Sequence, residues 1–369
     1  NQDRFELKRG DESVPFNHHM TTTAGFNLTA WMIHRFGKTS LGADLRNEHI
    51  LSNVLGNLLN TPVSVRGFEG SYYLRSYNRL NTSLYAEQSI SIKKFTGTLG
   101  VMAHHNQDMD GFGIYPGIDL SYRLNDFLRI YSSANKTLRM PTFTDMFYKS
   151  PVQQGNPHLQ PEEAFTFESG IKYGSDGMKG DINAFRRRGY NLIDWVKDPA
   201  PDSLIWRSSN HTNISFMGIE TSLTFSPEAE NRNVRLKSLK LSYSYLYSDP
   251  VQDAMLSRYA LDYLRQQFNL SFDFRIAGRF YNSTTVTWRD RFGSWQDAGG
   301  GIVSYEPFWL SDTRFSWKGE HITVYAEASN IFNSRYYDFG GLIQPGTWIR
   351  AGISLNIDYM KEKSASAED

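Results

Sequence analysis

Asn106-Gln107-Asp108-Met109-Asp110-Gly111 places oxygen-bearing side chains at its first, third and fifth positions and a glycine at its sixth. That is the spacing with which a calcium loop wraps a hard cation in oxygens. The twelfth position, where such a loop supplies a bidentate glutamate, is Gly117, so the pattern breaks there and a plain acidic turn competes with it. Asn106, Asp108 and Asp110 are the metal-ligand candidates, and calcium is the one cofactor they suggest. Nine histidines include the adjacent pairs His18-His19 and His104-His105. Neighbours on a strand face opposite ways, which argues against either pair sharing a metal. Asp44, Glu87, Asp119, Glu168 and Asp273 could act as paired acids, but all lie at alternating positions of strand-like runs, where lining a wet wall is the simpler role. The chain has no Gly-x-Ser-x-Gly, His-Glu-x-x-His or Walker pattern, so it is not expected to be an enzyme. A membrane-embedded protease or lipase is the alternative from a different class.

The elements that must position these residues read as strands. Leu41, Ala43 and Leu45 alternate with Gly42, Asp44 and Arg46. Leu84, Ala86, Ile90 and Ile92 alternate with Tyr85, Glu87, Ser89 and Ser91, and Ile118, Leu120, Tyr122 and Leu124 with Asp119, Ser121 and Arg123. The last run puts Ile349, Ala351, Ile353, Leu355, Ile357 and Tyr359 on one face. Each run is about ten residues long, enough for a tilted strand to cross a bilayer. Links of one parity are short or fairly short, at Gly37-Lys38, Lys93-Lys94, Asn125-Asp126, 175–177, 226–235, 276–278 and 318–320. Links of the other parity are long, at about 10–22, 52–77, 106–114, 136–163, 191–207, 249–263, 290–307 and 331–346. A sandwich has no reason to sort its loops this way, whereas a membrane barrel puts its turns on one side and its loops on the other. The expectation is all-β: a transmembrane antiparallel β-barrel with about sixteen strands in residues 1–359, and a polar tail at 360–369.

Composition agrees. The net charge is zero, which leaves no nucleic-acid footprint, and aromatics make up 14% of a chain whose mean hydropathy is −0.50. A membrane barrel reconciles the two, because only every second residue meets lipid. Cysteine is absent, no apolar run approaches the length of a membrane helix, and no signal peptide opens the chain, so Asn1 is expected to be an internal or processed start.

One loop carries more than its share of motifs. Between alternating strands lie Arg139-Met140-Pro141, then Asp145-Met146-Phe147-Tyr148, then Gly155-Asn156-Pro157-His158-Leu159-Gln160-Pro161-Glu162. Prolines and the Gly-Asn-Pro turn predict an ordered loop. These boxes resemble the barrels of TonB-dependent outer-membrane receptors. So do Asn191-Leu192-Ile193-Asp194-Trp195-Val196 with Gly218-Ile219-Glu220, and Ala328-Ser329-Asn330-Ile331-Phe332-Asn333 with Tyr336-Tyr337 and Gln344-Pro345-Gly346-Thr347-Trp348. The resemblance, from about residue 20 to residue 359, implies a 22-stranded barrel around an N-terminal plug. By that measure the plug and about six strands are absent from this chain; a complete porin-sized pore is the runner-up.

The resemblance further implies a bacterial outer-membrane transporter. It binds a scarce large solute outside and imports it when TonB, driven by its inner-membrane complex, pulls the plug; lipid bilayer and a capping surface lipoprotein are further expected partners. Haem is disfavoured, since residues 142–155 hold no histidine. Gly42-Ala43-Asp44-Leu45-Arg46-Asn47-Glu48 and Ile50-Leu51-Ser52-Asn53-Val54-Leu55-Gly56 resemble the vitamin B12 receptors of Bacteroides-type bacteria, which points to cobalamin or related corrinoids; a ferric siderophore or glycan is the alternative. Tyr148, Gln153, Gln154, Trp195, Trp206, Trp295, Tyr336 and Tyr337 are the candidate ligand residues, in loops that also hold Phe147, Tyr305 and Asn53. Aromatic faces with a few amides suit such a solute.

Overall fold

A computed structural model describes residues 1–6, 8, 10–11, 16–109, 111–198, 205–227, 236–249, 256–257, 263–297, 299 and 301–356. Among them lie 24 strands and one helix of five residues. Eight strands are short pieces inside loops (Asn57–Ser64, Lys149–Ser150, Gln153–Gln154, Leu256–Ser257, Ser294–Gln296, Ile302–Ser304, Tyr337–Phe339 and Leu342–Ile343), which leaves the expected sixteen. No described helix is long and apolar enough to cross a membrane.

The chain divides into two compact units. The first comprises residues 1–171, 183–218 and 247–261, the second 172–182, 219–246 and 262–369. In the first, the strands Gln2–Glu6, Phe16–His34, Gly37–Ser52, Tyr72–Ile92, Phe95–Asn106, Gly113–Arg123 and Leu128–Arg139 pair antiparallel in chain order. The strand Leu128–Arg139 pairs in turn with Glu162–Ser175. In the second, Leu236–Ser248, Tyr263–Ala277, Phe280–Phe292, Phe308–Lys318, Ile322–Ser329 and Trp348–Leu355 do likewise.

Register explains why this sequence folds so. Leu28, Ala43, Leu84, Ala103 and Ile114 stand opposite one another in a row across five strands. The next row holds Asn27, Asp44, Ser83, His104 and Gly113, with Ser83 Oγ and His104 Nδ1 2.9 Å apart. One face is thus apolar and the other polar, and a slip by one residue would exchange them all. Large apolar side chains of the apolar face stay exposed, Leu28 by 58% and Leu41 by 55%, as a belt that lipid covers. The buried residues of the first unit gather instead at the end where the long loops lie: Ile50, Leu55, Val65, Tyr73, Met146, Leu159 and Trp195.

The links alternate in length as expected except around Trp206–Phe225, where the eight-residue link 198–205 is shorter than the ten-residue link 226–235, and with corrections at their bounds. The first turn is Arg35-Phe36 rather than Gly37-Lys38. Gly37 already belongs to the next strand at φ 113°, where a Cβ would lie 2.0 Å from the Ser89 carbonyl oxygen. Several strands outrun the ten residues expected of them, and Tyr72–Ile92 has 21. The excess is at the loop end, where neighbouring strands continue to satisfy each other's backbone beyond any membrane. The loop of residues 136–163 accordingly shrinks to 140–161, and a helix at Phe143–Phe147 replaces part of it. Thr142 caps that helix in a reciprocal box with Asp145, a local signal too short to show helical periodicity. Ile357, Tyr359 and the tail at 360–369 lie outside the described residues.

Candidate functional site

In the first unit the 140–161 loop is fastened at both ends. Arg139 forks onto Glu162 with two contacts of 2.6 Å, and Glu162 Oε1 also accepts the Ile193 N–H at 2.8 Å. Arg79, nearly buried, donates from Nη1 to the Pro141 carbonyl at 2.7 Å and from Nε and Nη2 to Glu48 Oε2 at 3.0 and 2.6 Å. Its guanidinium lies 4.9 Å from the centroid of Phe143, while Tyr77 packs against Phe143 and Phe147. At the far end the Gly155 N–H reaches the Tyr148 carbonyl at 2.7 Å, and a Cβ on Gly155 would strike the Asp145 and Met146 carbonyls at 2.9 Å. Both boxes therefore frame the loop.

The frame absorbs some expected ligand residues. Trp195 is 4% exposed and donates its indole N–H to Asp145 Oδ1 at 3.2 Å, so it holds the loop's helix in place and offers a ligand no open face. Gln153 and Gln154 form a strand against Lys149–Ser150 and, in parallel, against Trp206 and Arg207. The Gln154 side-chain oxygen accepts from Arg207 at 3.1 Å, and the Lys197 ammonium sits 5.2 Å over the Trp206 ring. Asn53 spends its amide on the backbone of His18 and Phe16. Tyr148 is half-buried and bonds through its backbone, which leaves its side chain replaceable. Replacing Tyr148 and Gln153 together by Ala is expected to weaken solute uptake by intact cells at a stability cost below about 1 kcal/mol. Normal import by that variant, or loss of its heat-resistant fold on unboiled gels, would contradict this role for the tip.

At the 106–111 turn, Asn106 is fully buried and committed at both ends: its amide nitrogen donates to Asn81 at 2.8 Å and its oxygen accepts the Asp108 N–H at 2.9 Å. Asp108 Oδ1 accepts from the Tyr77 hydroxyl, and its Oδ2 is buried with no hydrogen-bond partner. Asp110 lies outside the described residues. Among the described residues no three acidic or histidine side chains gather as a metal group. The turn does lie at the long-loop end, as expected, but Asn106 is scaffold. Asp108→Asn is expected to lower unfolding free energy by about 1 kcal/mol, equally in calcium and in chelator, because Tyr77 is its partner. His104 and His105 diverge, to Ser83 and to the Gly111 carbonyl, and His19 meets Ser52, so neither histidine pair converges.

The second unit brings three expected residues together. Trp295 stands 4.9 Å from both Tyr305 and Tyr337, ring centroid to centroid, and Tyr336 packs at a tilt against Phe308 at 4.7 Å. These aromatics line a cavity of about 620 Å3 with Asp297, Glu306 and Arg335 at its polar wall. The Tyr305 hydroxyl accepts the Gly340 N–H at 2.7 Å, and Asp338 spans Arg289 and Arg291 at 3.4 Å each. Burial and then the Asp338 carboxylate hold the Tyr336 phenol above its ordinary pKa, so at neutral pH it is a donor. The Asn330–Asn333 motif frames this loop as Arg139 and Glu162 frame the other. Asn330, at φ 47°, bonds Ser334 both ways, and the Asn333 side chain accepts the Thr347 N–H at 3.1 Å. Phe308, Asp297, Glu306 and Arg335 went unnoticed in the sequence; nothing in their spacing links them.

A family model described as TonB dependent receptor-like, beta-barrel matches residues 3–331. Two curated relatives, each named vitamin B12 transporter BtuB, are 26% identical: the Vibrio vulnificus protein over 63% of this chain and 33% of its own length, the Photobacterium profundum protein over 68% and 43%. This chain thus spans less than half of either. Among solved structures, the FrpB iron transporter of Neisseria meningitidis superposes with a TM-score of 0.69 at 17% identity, over 92% of this chain and 57% of that one. The siderophore receptor PirA of Acinetobacter baumannii gives 0.67 at 16%, over 92% and 55%. At such identities these two establish the fold. The chain belongs to the TonB dependent receptor-like β-barrel family and is a protein of the outer membrane.

Proposed function

We propose that the chain serves an outer-membrane active transporter that takes up vitamin B12 or a related corrinoid, with energy delivered by TonB and its inner-membrane complex, and that it catalyses no reaction. The cavity of Trp295, Tyr305, Phe308, Tyr336 and Tyr337 carries this reading. A corrinoid presents a broad apolar macrocycle edged with primary amides. The aromatic faces suit the former, while Asp297 and Glu306 can accept from the latter and Tyr336 can donate to an amide oxygen. The cavity's size suits one edge of such a molecule. The two vitamin B12 transporters among the relatives support the same solute. The test is growth of a gene-deleted strain on cyanocobalamin as sole corrinoid, with uptake of radiolabelled cyanocobalamin measured in parallel. Normal growth and uptake at limiting cobalamin, in a strain without a paralogue, would rule the vitamin out. A surface lipoprotein over the loops would be seen by co-purification from mildly solubilised membranes.

A further inference from the structure

The strand Met178–Lys197 carries three consecutive arginines, Arg186, Arg187 and Arg188, all exposed. Alternation sends Arg186 and Arg188 to one face and Arg187 to the other. Arg186 donates from Nε to Ser215 Oγ at 3.3 Å, which places it on the face of Trp206–Phe225 that carries Ser215 and Met217. Met217 is exposed there, as are Tyr190, two positions beyond Arg188, and Phe165 and Phe167 on Glu162–Ser175. This is the apolar side of the strands, the side that lipid meets.

Height along the strand can be counted. Arg186 is nine residues past the turn that ends at Gly177, and Arg188 eleven. With a rise of about 3.3 Å per residue and a tilt of about 40°, they stand roughly 23 and 28 Å above it. The apolar band of such a strand is about 25 Å tall, so the two guanidinium groups straddle its outer margin. Lys136, nine residues past Phe127 on Leu128–Arg139, reaches the same height but is matched by Glu163 at 2.9 Å. Arg186 and Arg188 meet no carboxylate among the described residues.

We propose that Arg186 and Arg188 form a site for the phosphate-bearing headgroups of the surrounding lipid. A guanidinium presents paired N–H donors to phosphate oxygens, and Ser215 fixes the first of the two. Phe165, Phe167 and Met217 flank the arginines at the same height, and the chains of the lipid would run from there toward the turn, past Ile171 on Glu162–Ser175.

The test uses the full-length protein in detergent, titrated with dioctanoyl phosphatidic acid and followed by native mass spectrometry. R186Q/R188Q is expected to weaken binding about tenfold or more, R186K/R188K to retain most of it, and R187Q, which removes the same charge from the opposite face, to leave it unchanged. Unboiled gels verify that each variant keeps its fold. Equal affinity in wild type and R186Q/R188Q overturns the site, as does an equal loss in R187Q, which would mean diffuse attraction. Displacement by inorganic phosphate at matched concentration would make it a free-anion site and likewise overturn the assignment to lipid.

Discussion

Arg79→Met is expected to lower the unfolding free energy by roughly 3–5 kcal/mol, the cost of leaving one member of a buried ion pair behind. Glu48, mostly buried, would lose both contacts to Oε2 and keep the 3.1 Å contact from Arg46 to its other oxygen. The Pro141 carbonyl would lose its donor, and Phe143 its cationic neighbour. Denaturant unfolding in detergent reads the first effect. Limited proteolysis reads the second, as new cleavage near Phe143–Phe147. Glu48→Gln combined with Arg79→Met should recover much of the loss, since no charge is then stranded. Arg139→Met makes the contrast: Arg139 is half exposed and Glu162 keeps the Ile193 N–H, so about 1 kcal/mol is expected there. If Arg79→Met costs no more than Arg139→Met, the clamp is not what holds the loop.

Trp295→Ala should cost cyanocobalamin affinity more than any other single change, roughly 2–4 kcal/mol or thirtyfold to a thousandfold, as for an aromatic anchor at the centre of a packed site. Its ring separates Tyr305 from Tyr337, so truncation opens the cavity wall as well as removing a face. Trp295→Phe keeps an aromatic face and should lose far less. Tyr336→Phe removes only a donor, with a loss of about 1 kcal/mol. The sign of its pH dependence follows from the raised pKa. The phenol keeps its proton past the pH at which a free tyrosine ionises, so the wild-type advantage over Tyr336→Phe persists at pH 9 to 10 and disappears only above that raised pKa. Calorimetry of the purified protein with cyanocobalamin decides: an unchanged affinity in Trp295→Ala would remove the cavity from the binding site.

The strands were legible because alternation is a repeating constraint. Leu28, Ala43, Leu84, Ala103 and Ile114 announce the same face in five separate segments. The Arg139 and Glu162 boxes were legible as a frame, since their residue types have few other uses together. Arg79 was not legible. It reads as one more polar position on a strand, and its partner carbonyl is 62 residues away. Trp195 and Trp295 look alike in sequence, yet one is sealed under the loop by Asp145 and the other borders a cavity. Aromatic type measures how much surface a side chain can bury, whereas which neighbours do the burying depends on loops that meet only in the fold. Asn53 was misread for the same reason: an amide that braces two backbone groups cannot be told from one that awaits a ligand.

The unequal ends of the strands set what inheritance can change. Residues inserted in a long link such as 140–161 shift no partner in the ladder, because the strands on either side are already in register through Leu128–Arg139 and its neighbours. A residue inserted in the two-residue link Lys93-Lys94 has no such freedom: it would displace Phe95–Asn106 by one position and turn every following side chain to the wrong face. Lineages carrying this fold can therefore rewrite the long links freely, while the short links and the ladder remain a fixed inheritance.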